Sequence, residues 1–132
     1  MPIYEAIKPN HWPDALTFSP AVRAGNLLFI SGTTAVGDDL TIVGKGDIVA
    51  QTRFIFEKFD RILRAAGASF ENIVETTEYF LTMADYKRTA AVRREFFKGP
   101  SYPAATGVLV AGLIRKDALI EIKATAILGP VG

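Results

Sequence analysis

The chain has 132 residues and is 49% hydrophobic, and its fifteen Lys and Arg against fourteen Asp and Glu leave a formal charge of +1. That length predicts one domain over residues 1–132, because domains cluster near about 100–150 residues. Near-neutral charge argues against the clustered basic stripe of a nucleic-acid binder, and the absence of cysteine excludes disulfides, thiolate nucleophiles and cysteine-ligated zinc.

A chain of this size buries roughly 68% of its unfolded surface, so it needs no covalent staples. The mean hydropathy of +0.22 is high for so small an interior. The excess apolar area therefore predicts a subunit interface. MPIYEAIKPN has no basic leader followed by an apolar core, and no run approaches ~18 apolar residues. A cytoplasmic protein without a membrane span is the expectation.

In chain order, Ile3 to Ile7 reads as a short edge strand, and residues 8–17 as a surface loop holding two prolines. In PAVRAGNLLFISG, Gly25-Asn26 between two β-type runs signals a tight hairpin, because both residues tolerate positive φ. Leu27 to Ile30 is continuously apolar, as for a strand buried on both faces. Residues 32–46, with four glycines, read as a loop.

Asp47 is placed to cap a helix. Ile48, Thr52, Ile55, Phe59, Ile62 and Ala66 then recur at spacings of four and three, a helical stripe that Gly67 can end in the left-handed conformation. Ile73 to Leu81 reads as a strand. A second helix opens at Ala84 or Asp85, carries Thr89, Val92 and Phe96 on one face, and stops at Lys98-Gly99-Pro100.

YPAATGVLVAGLIRKDALIEIKA then reads as two strands, about 104–111 and 118–127, joined by a charged turn. On the second, Ile120, Ile122, Ala124 and Ala126 form an apolar face, while Leu119, Glu121, Lys123 and Thr125 form a mixed one. The order β-ββ-α-β-α-ββ predicts a two-layer α+β domain with both helices on one face of a sheet.

Few residues invite chemistry. Gly44-Lys45-Gly46 lacks the rest of a phosphate loop and reads as a solvated turn. The single histidine, His11, excludes a histidine metal site or relay; beside Trp12 it reads as a surface residue. Ser31 ends an apolar strand without a G-x-S-x-G elbow, so a serine hydrolase is not expected. Lys87, Arg88, Arg93, Arg94 and Lys98 read as a solvated helix face.

Two acids lie inside strands, where a carboxylate is costly unless paired or wet. For Glu78 an ion pair with an arginine or lysine is expected. For Glu121 two readings fit: a functional carboxylate, or one offset by Lys123 on the same face.

Three segments, PAVRAGNLLFISG, IVETTEYFLTMADY and YPAATGVLVAGLIRKDALIEIKATAI, together resemble the Rid family, also called YjgF or endoribonuclease L-PSP. The resemblance runs over about residues 15–128 in the family's order and spacing. It implies a chorismate-mutase-like fold, a homotrimer whose sheets form a central barrel, and three small-molecule clefts between adjacent subunits. No cofactor, no metal, no nucleic-acid partner and no membrane partner are expected.

The family's best-known activity is hydrolysis of reactive enamines and imines to a ketone and ammonia. Its enzymes clamp the substrate carboxylate with an arginine in a Pro-Ala-Arg-Ser segment, as bidentate guanidinium geometry suits. Here that segment is Pro103-Ala104-Ala105-Thr106, so the resemblance places this chain in an arginine-less subgroup. A cleft tyrosine corresponds to Phe18 and a helix asparagine to Ala90. Ser31 and Glu121 remain, the latter matching the glutamate that orients the attacking water. Arg115, in a turn one residue longer than the family's Leu-Pro-Lys-Asp, lies beyond the strand that would hold a clamp.

The expectation is therefore deaminase-like hydrolysis of a C=N or activated C=C bond in a non-standard substrate with less demand for a carboxylate. Glu121 would serve as base or water-orienter, and Ser31 with the backbone amides of strand 104–111 would hold the polar atom. Phe18, Ala90, Ala105, Thr106 and Val108 would line the cleft. A non-catalytic ligand-binding trimer is the alternative. Ribonuclease action is disfavoured, because no basic patch with interleaved aromatics is present.

Overall fold

Residues 2–129 are described by the structure, a computed structural model. Six strands form one sheet in the order β1-β2-β3-β6-β4-β5: β1 Glu5–Ile7, β2 Ala21–Ala24, β3 Leu27–Thr33, β4 Ile73–Phe80, β5 Ala104–Leu109 and β6 Ile120–Ile127. All neighbours are antiparallel except β4 and β5. Helix α1, Ile48–Ala65, and the shorter α2, Met83–Tyr86, and α3, Ala90–Phe96, complete the predicted α+β order. Among the described residues no helix is long and apolar enough to cross a membrane.

The first helix forms where the periodicity put it. Asp47 accepts hydrogen bonds from the Val49 and Ala50 amides, satisfying donors that a helix start leaves unpaired. At the other end Gly67, with φ of 75°, donates to the Arg64 carbonyl, and Ala68 donates to that of Leu63. This paired closure needs one left-handed residue, which glycine adopts without a Cβ clash. Between the caps Ile48, Thr52, Ile55, Phe59 and Ile62 are buried against Leu28, Ile30, Ile120, Ile122, Ala124 and Ala126 of the sheet. Phe56 meets Phe70, Phe96 and Phe97 at ring-centroid distances of 5.3–5.8 Å, which ties α3 to the same core.

Several expectations need correction. Leu27–Ile30 is not buried on both faces, since Phe29 is 45% exposed on the sheet face opposite the helices. At the hairpin only Gly25 has positive φ, 61°, the pattern of a turn that wants glycine at its first central position. The second helix begins at the Thr82 cap, whose hydroxyl accepts from the Asp85 amide. A 3₁₀ turn over Lys87–Thr89 then interrupts it before α3. Residues 32–46 are not wholly loop, because β3 continues to Thr33 and Val36 bridges Ile42.

The last two strands do not form a hairpin. β6 inserts between β3 and β4, whereas β5 lies parallel to β4 on its far side. A parallel neighbour cannot be reached through a tight turn, and β4 is joined to β5 through the helical segment between them; residues 110–119 then pass the end of β4 to reach β6 on its other side. Gln51, fully buried, holds this crossing. Its amide donates to the Gly44 and Asp117 carbonyls at 3.1 Å each and accepts from the Leu119 amide at 2.8 Å. Lys45 contacts Asp117 at 3.7 Å, so Gly44-Lys45-Gly46 is a turn packed on the crossing.

Candidate active site

Strand alternation sorts the acids. On β4, Thr76, Glu78 and Phe80 face the helices and are buried, and their partners on β6 are Ala124, Ile122 and Ile120. Glu78 accepts from the Tyr86 hydroxyl at 2.6 Å and from Arg93, whose guanidinium also reaches Thr76 and lies 5.2 Å from the Phe97 ring centroid. Burial and the Glu78 hydrogen bond push the Tyr86 phenol up to about 12. Glu78 is thus a member of a structural ion pair, as expected. Arg93 is correspondingly not part of the solvated face that Lys87, Arg88, Arg94 and Lys98 form.

Glu121 lies on the opposite face. Its cross-strand partner is Tyr79, and with Gly32, Val110, Gly112, Leu113, Ile114 and Lys123 these two residues line a cleft of about 340 Å³. The carboxylate is half-buried, and burial alone raises its pKa above the ordinary carboxylate value. It takes part in no ion pair among the described residues. Gly32 makes this placement possible, because a Cβ there would stand 2.7 Å from Glu121 Oε2. The irregular register of β3 against β6 between Ile30 and Thr33 falls at the same point, and such irregularities re-aim side chains beside sites.

Lys58 of α1 braces the strand just beyond. Its ammonium donates to Thr33 Oγ1 at 2.6 Å, Val36 O at 3.1 Å and Thr34 O at 3.2 Å. All three N–H donors are matched. Burial, with Arg61 and Arg115 nearby, lowers its pKa to about 8.

Phe18 and Ser31 belong to a second cleft of about 570 Å³, lined also by Tyr4, Trp12, Val22 and Phe29. Trp12 packs edge-on against Phe18 at 5.5 Å and donates its indole N–H to the Phe18 carbonyl at 2.7 Å. The Ser31 hydroxyl donates to the Ser19 carbonyl at 2.6 Å. Its one proton is committed, so toward a ligand it can only accept. Ser31 and Gly32 are consecutive, so the two clefts adjoin there.

The remaining expected residues stand apart from both. β5 is the far edge of the sheet, and all its residues except Val108 are exposed. Ala105 pairs with Thr76 and so lies on the helix face, whereas Thr106 and Val108 pair with Thr77 and Tyr79 on the face of Glu121. Ala90 is exposed at the start of α3. One chain therefore brings Glu121 together with Tyr79, Gly32 and Lys123, and Phe18 together with Ser31, but it does not unite the two sets with Ala90 or Ala105.

Sequence reasoning missed Gly32, Tyr79 and Lys58 as contributors. Tyr79 could have been found by alternation, since it must face away from Glu78. Gly32 and Lys58 had no comparable signal, because only strand pairing brings Gly32 to the carboxylate and only helix packing brings Lys58 to Thr33 and its neighbours.

The geometry is that of a half-buried carboxylate in a small cleft on the uncovered face of a helix-backed sheet. The family can be stated as well. The sequence pattern described as endoribonuclease L-PSP matches residues 10–128, and the chain belongs to that family, the Rid or YjgF family. A RutC family protein of Pyrococcus horikoshii is 41% identical over 83% of this chain and 85% of its own length. The 3-aminoacrylate deaminase RutC of Acinetobacter baylyi is 33% identical over 92% of this chain and 96% of its own. Among solved structures, the Rid family protein YyfA of Yersinia pestis superposes with a TM-score of 0.82 at 28% identity, covering 94% of this chain and 98% of its own.

Proposed function

We propose that this chain is a deaminase-like hydrolase of a small reactive imine or enamine, and that it works as a homotrimer with its clefts completed between adjacent copies. The carrying observation is Glu121, a half-buried carboxylate without an ion-pair partner among the described residues, its pKa raised by burial. A carboxylate with a raised pKa is a better base at neutral pH than an ordinary one and, once protonated, a usable acid.

In the proposed cycle the enamine takes a proton at carbon and becomes an iminium. Glu121 removes a proton from water as the water oxygen bonds to the iminium carbon. The protonated Glu121 then returns that proton to the amine, the C–N bond breaks as the hydroxyl gives its proton to solvent in place of the one taken up at carbon, and a carbonyl compound and ammonia leave. Water is the only co-reactant.

Two observations on the single chain support assembly. The face bearing Glu121 also exposes Phe29, Val74 and Ile127, and the edge strand β5 exposes Leu109, which is apolar surface that a neighbouring copy would cover. The expected site residues are also divided between two clefts and an edge strand of one chain, an arrangement that an inter-subunit site accounts for. Ala105 in place of the arginine removes a bidentate anion clamp, so the usual amino-acid-derived imines should be handled weakly.

The second reading, a non-catalytic binding trimer, draws on the larger cleft, where Tyr4, Trp12, Phe18 and Phe29 offer aromatic surface and the Ser31 proton is already used. The test is ammonia release from 2-aminoacrylate generated in situ and from 3-aminoacrylate. Wild type should accelerate release from the better substrate and Glu121→Gln should not. Equal turnover by the variant would remove Glu121 from the chemistry. No turnover, together with thermal stabilisation by a metabolite, would favour the binding reading.

A further inference from the structure

We infer that Lys58 is a positioning residue for Glu121: its ammonium pins the end of β3, so that Gly32 stays seated under the carboxylate. The inference rests on placing the reaction at Glu121 and deepens that reading.

Glu121 Oε2 lies so close to the Gly32 backbone that a Cβ there would stand 2.7 Å from it. Where Gly32 sits therefore fixes where the carboxylate points. The β3–β6 register runs to Ile30 opposite Ala124 and resumes at Thr33 opposite Ile122. Ser31 and Gly32 thus face the single residue Lys123, the two-against-one pattern of a bulge, in which the extra residue is left out of the ladder. The hold on Gly32 has to come from its two sides. On one side the Ser31 amide donates to the Pro20 carbonyl at 3.0 Å, and its hydroxyl to the Ser19 carbonyl at 2.6 Å. On the other side the hold is Lys58, reaching in from α1.

The Thr33 hydroxyl donates to the Thr34 carbonyl at 3.0 Å, so toward Lys58 its oxygen accepts. The Thr34 and Val36 carbonyls accept the other two N–H groups of Lys58. Three donors meet three acceptors only while the amine is protonated. A neutral amine brings two N–H groups and a lone pair, which leaves one oxygen unmatched. Burial is the largest influence on that proton. Arg61 on α1 and Arg115 on the crossing segment act in the same direction and Asp38 opposes them, so the amine titrates at about 8. The Phe54 ring, 5.9 Å from Nζ, is its other neighbour on α1. Alignment at Glu121 should thus be lost in mild alkali, on the opposite side of the pH profile from the ionisation of Glu121 itself.

The test follows the Gly32 amide of the assembled protein by NMR through alkaline pH, with ammonia release from 3-aminoacrylate measured in parallel. In wild type the Gly32 resonance should move with a midpoint at about 8. Over the same range kcat should fall by about tenfold while KM stays within about twofold. Lys58→Arg, whose guanidinium stays charged, should show neither the shift nor the fall. Lys58→Met should show at neutral pH the displaced Gly32 resonance and low kcat that wild type reaches only in alkali.

Tyr79 and Lys123 also carry titratable protons in the cleft, so an alkaline fall that survives in Lys58→Arg belongs to them and would overturn the inference. A Gly32 resonance in Lys58→Met that matches wild type at neutral pH would overturn it too. If Lys58→Met does not fold, the comparison of wild type with Lys58→Arg decides alone. Full turnover by Glu121→Gln would instead overturn the hydrolase proposal, while the Gly32 titration would still decide whether Lys58 holds the strand.

Discussion

Replacing Arg93 by Met should cost this protein about 3 kcal/mol, near the lower end of the ~3–5 kcal/mol typical when one partner of a buried ion pair is removed. Glu78 is only 1% exposed, so its charge cannot turn to water when the guanidinium is gone. The Tyr86 hydroxyl, 2.6 Å from the other carboxylate oxygen, remains and keeps the loss from the upper end. The lost contacts to Thr76 and the Phe97 ring add to it. For a domain of this size, 1 kcal/mol corresponds to about 3–4 °C, so the melting temperature should fall by roughly 10 °C. The assay is thermal melting at one fixed protein concentration, because association shifts apparent stability. Glu78→Gln combined with Arg93→Met should recover most of the loss, since the amide still accepts from Tyr86 but carries no charge. A melt within about 2 °C of wild type for Arg93→Met alone would refute the assignment of Glu78 to a buried pair. Turnover per folded molecule should be unchanged, because this network faces the helices and not the Glu121 cleft.

Other perturbations address the cleft itself. Activity should fall as pH drops through the raised pKa of Glu121, because the base must be ionised, and kcat/KM against pH checks this. The same burial disfavours the charged form in the folded state, so Glu121→Gln should be the more stable protein at neutral pH. That advantage should vanish below the ordinary carboxylate value of 4.5, where both folded and unfolded wild type are protonated. Gly32→Ala sets a Cβ 2.7 Å from Glu121 Oε2 and should lower kcat by about tenfold to a hundredfold with little change in melting, since the carboxylate can swing aside but loses alignment. Lys58→Met strips three hydrogen bonds from Thr33, Thr34 and Val36 and should cost about 1–3 kcal/mol at pH 7. Because the folded amine titrates near 8 and its ordinary value is 10.5, the unfolded chain holds more protons between those values. Wild-type stability should therefore rise across that window relative to the variant, which urea midpoints at pH 7 and 9.5 would show.

Local rules made much of this protein legible from its residues. The α1 stripe, the Asp47 cap and the Gly67 stop depend on neighbours three or four positions away, so periodicity and cap chemistry suffice to read them. The apolar face of β6, and with it the placement of Glu121 on the opposite face, followed from strand alternation in the same way. The family resemblance rested on ordered segments and needed no coordinates.

What only the tertiary structure decided is partnership across distance. Nothing in the sequence said that β6 would pass between β3 and β4, yet that insertion sets Tyr79 beside Glu121 and brings Gly32 beneath its carboxylate. The parallel pairing of β5 with β4 likewise put Ala105 and Thr106 on opposite faces. Arg93 read as one more cation on a solvated helix until the packing of α3 turned it toward Glu78. These choices come from burial and register among residues tens of positions apart. Their free energy is shared over the whole sheet, so no short stretch of sequence carries it alone.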